Sequence, residues 1–83
     1  MTPERKEAWR AFATAWLLRY GNARLPPGVW WRDDKELLDM WPCKDDPPDD
    51  FDFDEAHFVD RLFDNTQLTA FGLKFIRGEE DDA

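Results

Sequence analysis

Trp9, Phe12, Ala13, Trp16, Leu17 and Tyr20 recur at intervals of three and four residues. Only a helix puts such a set on one face, because its period is 3.6 residues. The ends of that helix are marked. Thr2 followed by Pro3 is a start signal, since the threonine oxygen can cap open amides and proline loses nothing at the first helical position. Gly21, directly after Tyr20, is the matching stop. The spacing therefore predicts a helix of about five turns with four aromatic rings on its inner face. In a chain of 83 residues, that face dictates what everything else must cover.

A chain this short makes a single domain, which we place at 1–78, with 79–83 as an acidic disordered tail. Five Trp, seven Phe and one Tyr supply the burial, each ring covering about 150–250 Å². Cys43 is the single cysteine, so no disulfide can form within the chain, and a reducing cytoplasm is the expected setting. The apolar run Ala11–Leu18 is too short to span a bilayer, and the polar opening M-T-P-E-R-K-E does not resemble a signal peptide.

After Gly21, the adjacent Pro26 and Pro27 force a loop that ends in V-W-W. Trp30 and Trp31 cannot face the same way, so one of them is expected to stay partly exposed. Asp33 or Asp34 can cap a short helix over Lys35 to Trp41 with an apolar edge of Leu37, Leu38 and Trp41, and Pro42 ends it. Cys43 to Asp50 contains Pro47 and Pro48 and reads as an extended polar loop. A third helix follows, with Asp54 as N-cap, a Phe53–Phe58 staple, a buried side of Ala56, Val59, Leu62 and Phe63, and Asn65 as its close. Glu55 in its first turn suits the helix dipole. From Leu68 to Gly78 the staple spacing of Leu68 and Leu73 with a Thr69 cap favours a helix, although Phe71, Leu73 and Phe75 also alternate as in a strand. The expected fold is all-α, a small bundle of three to four helices with an acidic Pro/Asp-rich loop.

Charge is distributed unevenly. Residues 1–32 carry six bases and two acids, whereas 33–83 carry seventeen acids and five bases, about +4 against −12. Asp45 to Asp64 holds nine acids and one base, Arg61, interleaved with phenylalanines. A balance this negative argues against direct binding to nucleic acid or an anionic membrane and for a basic partner. Asp60 and Asp64, four apart, would share a helix face about 5–6 Å from one another. With Asp45, Asp46, Asp49, Asp50, Asp52 and Asp54 they form the expected partner-binding set, a row of carboxylates that a Lys- and Arg-lined groove would accept in place of phosphates.

Chemistry beyond binding finds little support. A calcium loop starting at Asp50 would place Asp52 and Asp54 well, but Glu55 falls where the turn glycine belongs and Arg61 where the bidentate acid belongs. The chain has no serine, and Cys43 and His57 lie in no recognisable nucleophile context. We expect no enzyme activity, no metal and no cofactor. A second binding surface is conceivable at Trp30, Trp31 and Trp41, since aromatic side chains favour interface centres. It would suit a phage accessory or interaction module.

L-T-A-F-G-L-K-F-I resembles the L-T-x-x-G stretch that opens a late helix in some winged-helix regulators, but the acids of the preceding helix disfavour DNA reading. In size, acidity, aromatic content and lack of a catalytic signature, the chain is similar to the small acidic proteins that phages and mobile elements use against bacterial defence, notably anti-CRISPR proteins and DNA mimics. That resemblance lies in overall character and no functional position is carried over from it. It implies a basic nucleic-acid-binding partner, a CRISPR effector complex in the bacterial cytoplasm, and inhibition by blocking entry of target DNA.

Overall fold

The computed structural model describes residues 2–43 and 53–79. The first helix, α1, runs Pro3–Tyr20, as the aromatic spacing requires. The Thr2 side chain accepts from the Arg5 N–H at 3.2 Å, and Gly21, at φ 70, closes the helix through its N–H to the Leu17 carbonyl. Trp9, Phe12, Ala13 and Trp16 are buried on its inner face, together with Ala15. Leu17 and Tyr20 pack at the margin of the same core.

After the proline loop a single 3₁₀ turn, Trp31–Asp33, turns Trp31 inward and leaves Trp30 half exposed. Asp34 caps α2, Lys35–Met40, by accepting from the Glu36 and Leu37 N–H groups. Leu37 is the fully buried residue of this helix, whereas Leu38, expected on the same apolar edge, is exposed. α3 spans Phe53–Leu62. It differs from the sequence expectation at both ends. Asp54 lies inside the first turn instead of capping it, and Phe53 is 74% exposed, its ring against His57 instead of stapled to Phe58. Phe58 turns inward to Phe71 and Phe75.

The chain is mostly helical among the described residues but not all-α, because a short antiparallel pair interrupts it. β1, Phe63–Asp64, pairs with β2, Gln67–Leu68, in the register Phe63 to Leu68 and Asp64 to Gln67. Asn65, expected to close α3, sits at φ 60 in the two-residue turn of this hairpin. Asparagine tolerates the left-handed region that such turns need. The hairpin places Phe63 on Trp16, ring centroids 4.9 Å apart, and buries Leu68.

α4, Ala70–Ile76, follows at once. The helical reading of this stretch holds and the strand reading does not: Phe71, Leu73 and Phe75, whose alternation suggested a strand, all lie in α4, and the extended backbone is confined to Gln67–Leu68 before the Thr69 cap. Gly78, at φ 77, ends α4 in a Schellman arrangement, with its own N–H on the Phe75 carbonyl and that of Glu79 on Lys74. Thr69 makes the junction. Its hydroxyl accepts from the Gly72 N–H at 3.0 Å and faces the Arg61 and Leu62 carbonyls at the end of α3. Thr69→Val should lower stability by about 1–2 kcal/mol through loss of this cap, and Thr69→Ser should restore most of it, as read from urea unfolding midpoints.

Of the proposed tail, Glu79 is described and 80–83 lie outside the described residues. No described helix is long and apolar enough to cross a membrane.

Candidate functional site

Three arginines of α1, Arg5, Arg10 and Arg19, tie it to the later elements. Arg19 donates Nε to Asp34 Oδ2 at 2.6 Å and Nη2 to Glu36, tying α1 to α2. Partial burial pushes the Asp34 carboxyl up, but the Leu37 N–H and the Arg19 guanidinium outweigh this and hold it below its ordinary value. Arg10 donates to the Phe75 carbonyl at 3.0 Å and stacks its guanidinium over the Phe75 ring, tying α1 to α4.

The third tie is buried. Glu55, on α3, is 5% exposed. Arg5 donates Nε to its Oε1 and Nη2 to its Oε2, and the Trp9 indole N–H donates to Oε1 at 2.7 Å. Cys43 brings its thiol within 3.7 Å of the same oxygen and 3.2 Å of Arg5 Nη2. Burial alone would raise the Glu55 carboxyl, yet the Arg5 and Trp9 hydrogen bonds, the Arg5 charge and the Cys43 thiol together hold it below its ordinary value. The cluster joins Cys43 to Glu55, which lie on either side of the acid-rich segment in the sequence.

The sequence-predicted acids fall into three groups. Asp45, Asp46, Asp49, Asp50 and Asp52 lie outside the described residues. Asp54 and Asp60 are exposed on α3, where they share the solvent side with His57, Arg61 and Phe53. Asp64 is in β1, so Asp60 and Asp64 do not stand on one helix face as their spacing suggested. The reason is tertiary: the helix stops at Leu62, where Phe63 leaves to pack on Trp16. Arg61 lies over the Phe71 ring at 3.8 Å, which adds a base to this side. The described α3 surface is therefore mixed in charge and not a carboxylate row.

Residues 2–43 and 53–79 carry ten bases and eleven acids, a net charge of −1. The remaining −7 of the total −8 comes from 44–52, with five acids and one base, and from 80–83, with three acids.

Neither nucleophile candidate meets the other. Cys43 faces Arg5 and Glu55, and His57 lies against Phe53, ring centroids 4.4 Å apart. Trp31 is buried and Trp41 half-buried in the core, so of the three tryptophans considered for docking it is Trp30 that presents surface, at 49% exposure.

Sequence reasoning missed the role of Glu55, although a signal was present. Glu55, Phe58, Val59 and Leu62 follow the helical i, i+3, i+4, i+7 pattern, which places this acid on the buried stripe. Comparisons with family models, with curated proteins and with solved structures return no match for this chain.

Proposed function

We propose that the protein is a non-enzymatic inhibitor that offers its acid-rich segment to the nucleic-acid-binding surface of a larger basic protein and so keeps nucleic acid out. The observation that carries this reading is the location of the charge. The described body is one charge from neutral, and Glu55, Asp34 and Glu36 are engaged by arginines. The surplus acids belong almost wholly to 44–52 and 80–83. Acidity serving solubility alone would be interspersed over the surface with bases.

The clamp of Arg5, Trp9, Cys43 and Glu55 supports the same reading, because it holds together Cys43 and Glu55, which flank 44–52 in the sequence. Bringing these flanking residues together in advance lowers the ordering entropy that binding would otherwise lose. The partner-binding residues are then Asp45, Asp46, Asp49, Asp50 and Asp52, with Asp54 beside them and Asp60 and Asp64 contributing less. The resemblance to anti-CRISPR proteins makes a CRISPR effector complex the proposed target.

The test is charge reversal. Each Asp→Lys change adds two charges, so reversing Asp45, Asp46, Asp49 and Asp50 brings the net −8 to zero. We expect the variant to lose inhibition of DNA binding by the effector complex while keeping the parent melting temperature. Parent binding should weaken steeply between about 50 and 200 mM salt. A reversed variant that inhibits as well as the parent removes the proposal. Salt-insensitive binding that is lost in Trp30→Ala would favour the docking module instead.

A further inference from the structure

Among the described phenylalanines, tyrosine and tryptophans, Phe53 alone is more than half exposed, at 74%. The other described phenylalanines, Phe12, Phe58, Phe63, Phe71 and Phe75, all belong to the core or pack against it. Leaving such a ring in water forgoes the gain of burying it. Phe53 is nevertheless held in place. Two residues further along α3, Glu55 is bound by Arg5 and the Trp9 indole, which fixes the first turn. One turn along, the His57 ring meets Phe53 at 81°, with centroids 4.4 Å apart.

The ring stands among acids. Phe53 lies between Asp52 and Asp54 in the sequence and directly follows the acid-rich 44–52, and Asp54 and Asp60 are exposed on the same helix. Solubility accounts for the carboxylates and leaves the ring unexplained. Trp30, the next most exposed ring, has the opposite surroundings, since residues 22–32 carry Arg24 and Arg32 and no acid. A basic surface is therefore matched in charge by the Phe53 end of α3 and repelled by the Trp30 loop.

A ring flanked by negative charges corresponds to one form of nucleic acid. A duplex stacks its base faces on one another and offers a protein only base edges and phosphates. A single strand exposes whole base faces between its phosphates, and the grooves that take it combine Lys and Arg with aromatic side chains on which the bases stack. Resting on the inhibitor reading above, we propose that Phe53 fills a base-stacking position of the partner, so that the blocked surface is a groove for single-stranded nucleic acid and not one for a duplex. The carboxylates take the phosphate positions, and the fixed first turn and His57 reduce the entropy lost when the ring docks.

The test compares binding of the parent, Phe53→Ala, Phe53→Leu and Phe53→Trp to the effector complex that the parent inhibits. Phe53 is exposed, so all three variants should keep the parent melting temperature. Alanine should weaken binding about tenfold to a hundredfold, as loss of one stacked base does. Leucine, apolar but without a ring face, should recover little of this, and tryptophan should retain binding. Affinity should fall with salt along the parent slope in Phe53→Ala, because no charge has changed, whereas the fourfold Asp→Lys variant should flatten the slope. An oligothymidylate should displace the protein from the complex, and a DNA hairpin duplex with the same number of phosphates should not. Parent-like binding by Phe53→Ala while the Asp→Lys variant fails overturns this inference and leaves the inhibitor reading standing; parent-like binding by both removes the two together. Leucine that binds as well as phenylalanine, or displacement by the duplex as readily as by the single strand, also overturns the inference.

Discussion

Arg5→Ala lowers the unfolding free energy at pH 7 by about 2–4 kcal/mol in the result we expect, somewhat below the 3–5 kcal/mol typical of a broken buried ion pair. The reduction reflects exposure, since the Arg5 side chain is 25% accessible while that of Glu55 is 6%. For a domain of this size, with roughly 4–12 kcal/mol in total, the loss is severe. The damage comes from what remains: Glu55 stays buried with the Trp9 N–H and the Cys43 thiol but without the cation. Acid should close the gap. In the parent, Glu55 titrates below its ordinary 4.5. Its stabilisation is thus complete above that pH and is lost as pH falls through the lower folded value. Without Arg5, burial is opposed by the Trp9 and Cys43 hydrogen bonds alone, so the folded carboxyl should titrate higher than in the parent and the variant should lose less stability as pH falls. Urea unfolding of both proteins from pH 7 to pH 3 should therefore show a difference that shrinks toward acid. Adding Glu55→Gln to Arg5→Ala should raise stability at pH 7, because a neutral amide still accepts from Trp9. A difference independent of pH would show that Arg5 acts through packing alone.

The same cluster shows where the sequence was legible and where it was not. The Thr2-Pro3 start, the Gly21 stop and the aromatic stripe between them depend on local rules, and α1 follows them. The caps of α2 and α4 were legible for the same reason: Asp34 and Thr69 each bond amides two or three residues ahead. Phe63 and Asn65 were misplaced because their positions depend on distant partners. Phe63 leaves the helical stripe to meet Trp16, 47 residues earlier, and Asn65 then serves the hairpin that makes this possible. Glu55 was grouped with the surface acids because its partners, Arg5 and Trp9, are about fifty residues away. The acid-rich stretch read as one array, yet the fold divides it. One carboxylate is a structural tie, two sit on a mixed helix face, and one is in a strand. What remains of the candidate site is the group of aspartates before Phe53. Its charge was evident from composition, whereas the clamp that joins its flanking residues was not.

Gly72→Ala should destabilise the protein by about 2–4 kcal/mol, against the direction that helix propensity alone gives. In an open helix the change would stabilise by about 1 kcal/mol, since glycine is the more flexible residue. Gly72 lies in α4 at an ordinary helical φ, so backbone strain is not at issue. The obstacle is space. A Cβ there would stand 2.5 Å from the Leu62 carbonyl oxygen and 3.0 Å from Leu68 Cδ2. That carbonyl accepts from the Thr69 N–H at 3.0 Å, so it cannot turn away without breaking the junction between α3 and α4. Overpacking against fixed backbone typically costs about 1–3 kcal/mol, occasionally more, and here the lost junction adds to it. The L-T-x-x-G pattern thus has a physical basis in this chain. Leu68 fills the core, Thr69 caps α4 against the end of α3, and Gly72 lets the two helices approach. Gly78→Ala serves as a comparison, because nothing lies within 4 Å of its Cβ position and the penalty there is conformational, from φ 77. Chemical denaturation should rank Gly72→Ala as the more damaging, with loss of amide exchange protection at Thr69 and Leu73. If Gly72→Ala is as stable as the parent, α4 can shift away from α3 without loss, and the close packing of this junction is not what holds the two helices together.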